Sequence, residues 1–146
     1  YSAAITAYGK GGQWEKALEL FQTMEKRGVM PDTANYNAAI SACGKGGQWK
    51  EALEHLQTMK KRGVMPATAN YNAAITACRK GGQWGKVLEL LQVMKEQGVK
   101  PDGISYSAAI TACGKGGQWE KALELLQKME ERGIKPNQFS YSAAIT

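Results

Sequence analysis

Long apolar runs are missing from this sequence. The longest are a few residues, such as Ala108, Ala109 and Ile110, against the roughly 20 that a membrane-spanning helix requires. No membrane span is expected. Histidine occurs once, at His55, and no carboxylate pair, nucleophile beside a base or metal-ligand spacing stands out. The expectation is therefore a chain that is not an enzyme, with no catalytic residue, metal or cofactor. Cysteine is limited to Cys43, Cys78 and Cys113, evenly spaced along the chain. No paired spacing suggests a disulfide framework or zinc, so they are expected as small core residues in a reducing compartment. Acidic residues are the minority charge, 13 against 19 basic, for a net +6 and a pI near 9.2, and that balance favours polyanionic partners. The chain opens on Tyr1 rather than methionine and shows no charged leader, so any targeting segment is expected outside it.

What is present is a repeat. In rows of 35, Tyr1, Tyr36, Tyr71, Tyr106 and Tyr141 align, as do Trp14, Trp49, Trp84 and Trp119. Gly28, Gly63, Gly98 and Gly133 fall in register, and so do Pro31, Pro66, Pro101 and Pro136. The units are 1–35, 36–70, 71–105 and 106–140, with 141–146 opening a fifth. A period of this size signals a solenoid.

Each unit reads as two helices. Tyr36, Ala39, Ile40 and Cys43 stand at i, i+3, i+4 and i+7, one apolar stripe on a short first helix. Gly44-Lys45-Gly46-Gly47 is expected to break it, since each glycine costs about 1 kcal/mol in a helix interior. From Gln48, a longer second helix carries Trp49, Ala52, Leu53, Leu56 and Met59 to Gly63, which suits a left-handed cap before Pro66. A lone hairpin cannot bury both stripes, so stability must come from stacking on neighbours. The tryptophans are expected as packing anchors between hairpins. His55 stands where other units have Leu20, Leu90 and Leu125, at the edge of the core stripe. Gly-Lys-Gly-Gly is no phosphate-binding loop, because it joins two helices and lacks the Gly-x-x-x-x-Gly-Lys-Ser/Thr pattern after a strand.

Away from the apolar stripe, the first helix carries Asn37, Ser41 and Lys45 at spacings of four. The line recurs as Ser2, Thr6 and Lys10, as Asn72, Thr76 and Lys80, and as Ser107, Thr111 and Lys115. Stacking would align Lys10, Lys45, Lys80 and Lys115 along one groove edge, as a phosphate backbone needs.

The period, the Tyr-x-Ala-Ala-Ile opening, the Cys-Gly-Lys-Gly-Gly turn, the Ala-Leu-Glu-Leu centre of the second helix and the closing Met-x-x-x-Gly-Val-x-Pro-Asp resemble the pentatricopeptide repeat. The resemblance covers essentially the whole chain. It implies an all-α fold, a right-handed α-solenoid of stacked antiparallel helical hairpins. As a single array it would be a segment of a longer one, in a mitochondrion or plastid. The implied function is single-stranded RNA binding in organellar RNA processing, stability or translation, with one base read per repeat. The alternative is an architectural subunit that binds proteins in a large organellar assembly.

The resemblance also implies which side chains read bases: the residue after each repeat tyrosine, paired with the residue after the closing proline. These pairs are Ser2 with Asp32, Asn37 with Ala67, Asn72 with Asp102, and Ser107 with Asn137. By the family's rules they would read guanine, a pyrimidine, uracil and adenine in turn, and a purine would lie opposite Ser142. Ala67 departs from the pattern, having no polar group to choose between cytosine and uracil. Stacking side chains are implied two residues before each tyrosine, at Ala34, Ala69, Ile104 and Phe139. Alanine offers little surface for a stack that contributes about 1–3 kcal/mol with an aromatic.

Overall fold

The computed structural model describes residues 2–135. Among them every regular element is an α-helix, in the order α1 (Ser2–Lys10), α2 (Trp14–Lys26), α3 (Thr33–Lys45), α4 (Trp49–Lys61), α5 (Thr68–Lys80), α6 (Trp84–Glu96), α7 (Gly103–Lys115) and α8 (Trp119–Glu131). The all-α expectation of antiparallel helical hairpins is met. Odd-numbered helices are the first of each repeat and even-numbered helices the second.

The expectation of a short first helix and a longer second one is not met, because α3 to α8 all have 13 residues. Two features lengthen the first helix. It starts three residues before the tyrosine: Asp32 accepts from Asn35 N at 2.9 Å, and Asp32 N donates back to Asn35 Oδ1 at 2.9 Å, closing a capping box. It also runs through Gly44 and Lys45, so of the four residues read as a break only Gly46 and Gly47 lie outside the helix. Gly44 is buried, and a Cβ there would sit 3.4 Å from Ala73 O of α5. That glycine is used for close helix approach rather than for breaking.

Both helices of a repeat end alike. After α3, Gly47 takes φ +68°, and Gln48 N donates to Cys43 O at 2.8 Å. After α4, Gly63 takes φ +78°, and Val64 N donates to Met59 O at 2.9 Å. These are left-handed C-caps with the 6→1 bond that satisfies a last-turn carbonyl. A side chain at either glycine would be strained.

The chain forms two compact units, residues 1–81 and 82–146. In the first, α3 packs on α1, α2, α4 and α5, around fully buried Phe21, Tyr36, Ile40, Met59, Tyr71 and Ile75. The tryptophans act as predicted here. A Cβ at Gly46 would fall 2.5 Å from the Trp14 ring, and one at Gly81 would overlap Trp49, so each indole lies over a glycine of the following repeat. In the second unit α7 packs on α6 and α8, around Val87, Met94, Tyr106, Ile110 and Met129.

Cys43, Cys78 and Cys113 are buried free thiols. Burial, with Glu51 beside it, pushes the Cys43 thiol up to about 12, and burial also raises Cys113. Such thiols stay protonated near neutrality and are poor nucleophiles. Among the described residues no group of histidine, cysteine and acidic side chains could hold a metal, and no helix is long and apolar enough to cross a membrane.

Candidate nucleic-acid interface

The polar line of the first helices forms a groove in the first unit. It is lined by Thr6, Gly9 and Lys10 from α1 and by Asn37, Ala38, Ser41, Ala42 and Lys45 from α3, with a volume of about 290 Å³. Four-residue spacing brings Asn37, Ser41 and Lys45 onto one face, and α3 lying beside α1 sets that face against Thr6 and Lys10. Asn37 Oδ1 is buried and has no hydrogen-bond partner.

The lysines are not equivalent. Lys45 Nζ donates to Gly9 O of α1 at 2.8 Å, so this ammonium ties two repeats together by satisfying a carbonyl near a helix end. Lys10, Lys80 and Lys115 are exposed at the last positions of α1, α5 and α7, where a cation also complements the helix dipole. Two hydroxyls of the line bond to their own helix: Thr76 Oγ1 donates to Asn72 O and Thr111 Oγ1 to Ser107 O, both at 2.9 Å.

The expected base-reading positions fall into two structural classes. Asn37 is half-buried, and Asn72 and Ser107 are buried at 8% and 9% exposure; all three lie one turn inside their helices rather than at the helix start. Asp32, Ala67 and Asp102 are exposed N-cap residues of the next first helix. Asp102 accepts from the N–H groups of Ile104 and Ser105, both at 3.1 Å. At Ala67 only the return bond survives, Ala67 N donating to Asn70 Oδ1 at 2.8 Å. Of the stacking positions, Ala34, Ala69 and Ile104 are exposed, Ile104 at 61%. The Ser2 side chain, Asn137, Phe139 and Ser142 lie outside the described residues.

One cluster in the first unit had no motif to announce it. His55 of α4 meets Phe21 of α2 edge-on at 5.0 Å, and Phe21 meets Tyr36 at 5.3 Å. Arg62 bonds Glu25 at 3.1 Å and donates to Tyr36 Oη at 3.3 Å. Burial holds the His55 pKa below its ordinary value, against the opposing pull of Glu25, Glu51 and Glu54. Comparing repeat columns marks Glu25 as the odd residue, since the next two repeats carry Lys60 and Lys95 there, but does not pair it with Arg62.

The pentatricopeptide repeat domain model matches residues 20–81 and 89–146, the PPR repeat family model residues 1–37, and the PPR repeat model residues 69–99. No curated protein matches the chain. The structure is similar to the pentatricopeptide repeat protein PPR10 in complex with an 18-nt psaJ RNA element, with TM-score 0.86, 29% identity, and coverage of 99% of this chain and 21% of that one. It is also similar to maize PPR10, with TM-score 0.76, 29% identity, and coverage of 100% and 21%. The PPR domain of Arabidopsis thaliana protein-only RNase P 1, in complex with tRNA, shares the fold at TM-score 0.85 and 19% identity, over 98% of this chain and 76% of that one. The chain thus spans 21% of the length of the PPR10 chains it matches.

Proposed function

This chain belongs to the pentatricopeptide repeat family, and on that premise we propose that it binds single-stranded RNA in a mitochondrion or plastid, one base per repeat, acting in RNA processing, stability or translation. The observation that carries the reading is half-buried Asn37, which lines a groove together with Lys10 and Lys45. Its amide carries both a donor and an acceptor, which suits the edge of cytosine or uracil, while Lys10 offers a phosphate its charge. PPR10, the 29%-identical relative, is described in complex with an RNA element.

In this reading the pairs Ser2 with Asp32, Asn37 with Ala67, Asn72 with Asp102, and Ser107 with Asn137 select 5′-G-(C or U)-U-A. Ala34, Ala69, Ile104 and Phe139 flank the bases, and Lys10, Lys45, Lys80 and Lys115 follow the backbone. The test is titration of fluorescent RNA carrying G-C-U-A or G-U-U-A against a scrambled control at several salt concentrations. Tighter binding of the cognate RNA is expected, with affinity falling by a log-log slope of about 0.7 per phosphate contact. Equal, feeble binding of all three would overturn the reading. It would favour an architectural, protein-binding role, which the small side chains at Ala34, Ala69 and Ala67 would then explain.

A further inference from the structure

The second unit carries a groove on its even-numbered helices that is separate from the polar line of the first helices. Its volume is about 280 Å³, near the roughly 300 Å³ lower end for small-molecule sites. Half-buried Leu88 of α6 is the leucine open to the groove, Leu91 of α6 and Leu125 of α8 form its floor at 4% and 8% exposure, and Lys95, Lys121 and Lys128 stand around them. Glu124 is the one carboxylate among the lining residues, and α7 contributes only Cys113. Ser107, Thr111 and Lys115 take no part.

The corresponding place in the first unit is built the opposite way. Phe21 stands where the second unit has Leu91, and His55 where it has Leu125. Their rings meet at 5.0 Å across α2 and α4. Glu25 occupies the Lys95 position and is bound to Arg62 at 3.1 Å. Glu51 stands in place of Lys121, and Thr58 in place of Lys128. Arg132 keeps the Arg62 position, so an ion pair that spans two repeats in the first unit becomes a cation facing a cation in the second. Burial and the charges of Lys128 and Arg132 together lower the Lys95 pKa. A carboxylate arriving there would relieve that repulsion, and an aliphatic side chain would cover half-buried Leu88.

We propose that this groove between α6 and α8 docks an acidic, leucine-bearing segment of a protein partner, with carboxylates on Lys95, Lys121 and Lys128 and an apolar anchor against Leu88, above the floor that Leu91 and Leu125 form. Phosphate chains would use the lysines but leave the open side of Leu88 uncovered. The chemistry therefore favours a peptide over a nucleic acid.

The test uses the whole chain and a short fluorescein-labelled peptide of glutamate and leucine. A glutamine-for-glutamate counterpart and a single-stranded RNA competitor complete the set. The double variant Lys95→Glu, Lys128→Thr installs the residues of the first unit and can restore the ion pair to Arg132, so it is expected to fold, as circular dichroism will check. It should weaken the acidic peptide on the order of tenfold. Leu91→Phe, which narrows the groove and leaves the charges alone, should weaken it as well. The glutamine peptide should bind more weakly than the acidic one. Unchanged affinity in both variants would overturn the proposal. So would RNA displacing the peptide with the same dependence on Lys95 and Lys128, which would make the groove a general polyanion site.

Discussion

Replacing Ala67 by aspartate should stabilise this protein without touching its core. The backbone at Ala67 (φ −99°, ψ 175°) is nearly that of Asp32 (φ −100°, ψ −177°), so the aspartate rotamer that caps α3 is available at the start of α5. At α3 the third N–H, Asn35 N, donates to Asp32 Oδ1 at 2.9 Å. At α5 its counterpart, Asn70 N, reaches only the Ala67 carbonyl at 3.1 Å, which Tyr71 N shares at 3.2 Å. A carboxylate there would complete the capping box. Restoring an N-cap contributes about 0.5–2 kcal/mol, and a negative charge in a helix's first turn about 0.3–1 kcal/mol. The two overlap, so a gain of about 1–2 kcal/mol is expected. For a chain of this size that raises Tm by about 2–4 °C per kcal/mol.

The assay is thermal and urea unfolding followed by circular dichroism, with amide hydrogen exchange to locate the gain in α5, since repeat arrays unfold by local units. Ala67→Glu is the control. It brings the charge but not the short side chain that reaches the third N–H, and should gain less. A midpoint unchanged or lowered by Ala67→Asp, or a glutamate variant of equal gain, would refute the capping argument. RNA gives a separate readout. In the Ala67→Asp variant, Asn37 gains an aspartate partner, the combination proposed for uracil, and that repeat should prefer uracil over cytosine.

Two further outcomes follow from the packing. The folded-state pKa of His55 lies below its unfolded value, so its contribution to stability is present above the unfolded pKa near 6.5 and is lost as pH falls through the folded value; urea midpoints for the protein and for His55→Leu should converge at high pH and diverge in favour of leucine below about 6.5. Gly46→Ala should destabilise by about 1–3 kcal/mol through overlap with the Trp14 ring, whereas Gly116→Ala, where an added Cβ meets only the carbonyls of its own helix at 3.2 and 3.9 Å, should lose less in the same unfolding experiment.

The repeat, its two helices and the glycine caps are written in the sequence because they depend on local chemistry. Periodic apolar residues, a glycine at positive φ and a proline before an N-cap act within a few residues of themselves. Local reasoning also shows its limit at Gly44. Glycine propensity favours a break, yet the tight approach of α5 keeps that residue helical, and only the tertiary contact could reveal it. The equal lengths of first and second helices were hidden for a related reason, since Asp32 belongs by register to one repeat and caps the next.

Among the expected site residues, position in the repeat placed Asn37, Ser41 and Lys45 on one face, and the structure groups them with Thr6 and Lys10. It does not make the lysines alike, because the Lys45 bond to Gly9 O depends on where α1 ends in space. By itself the sequence determined that this chain is a stack of helical hairpins with polar and basic lines running from repeat to repeat. The tertiary structure alone decided which polar atoms are left without partners, as at Asn37. It alone decided which charges meet across repeats, as Glu25 and Arg62 do at 3.1 Å. Those outcomes depend on side chains a full repeat apart in sequence, whose meeting is fixed only once the helices have packed.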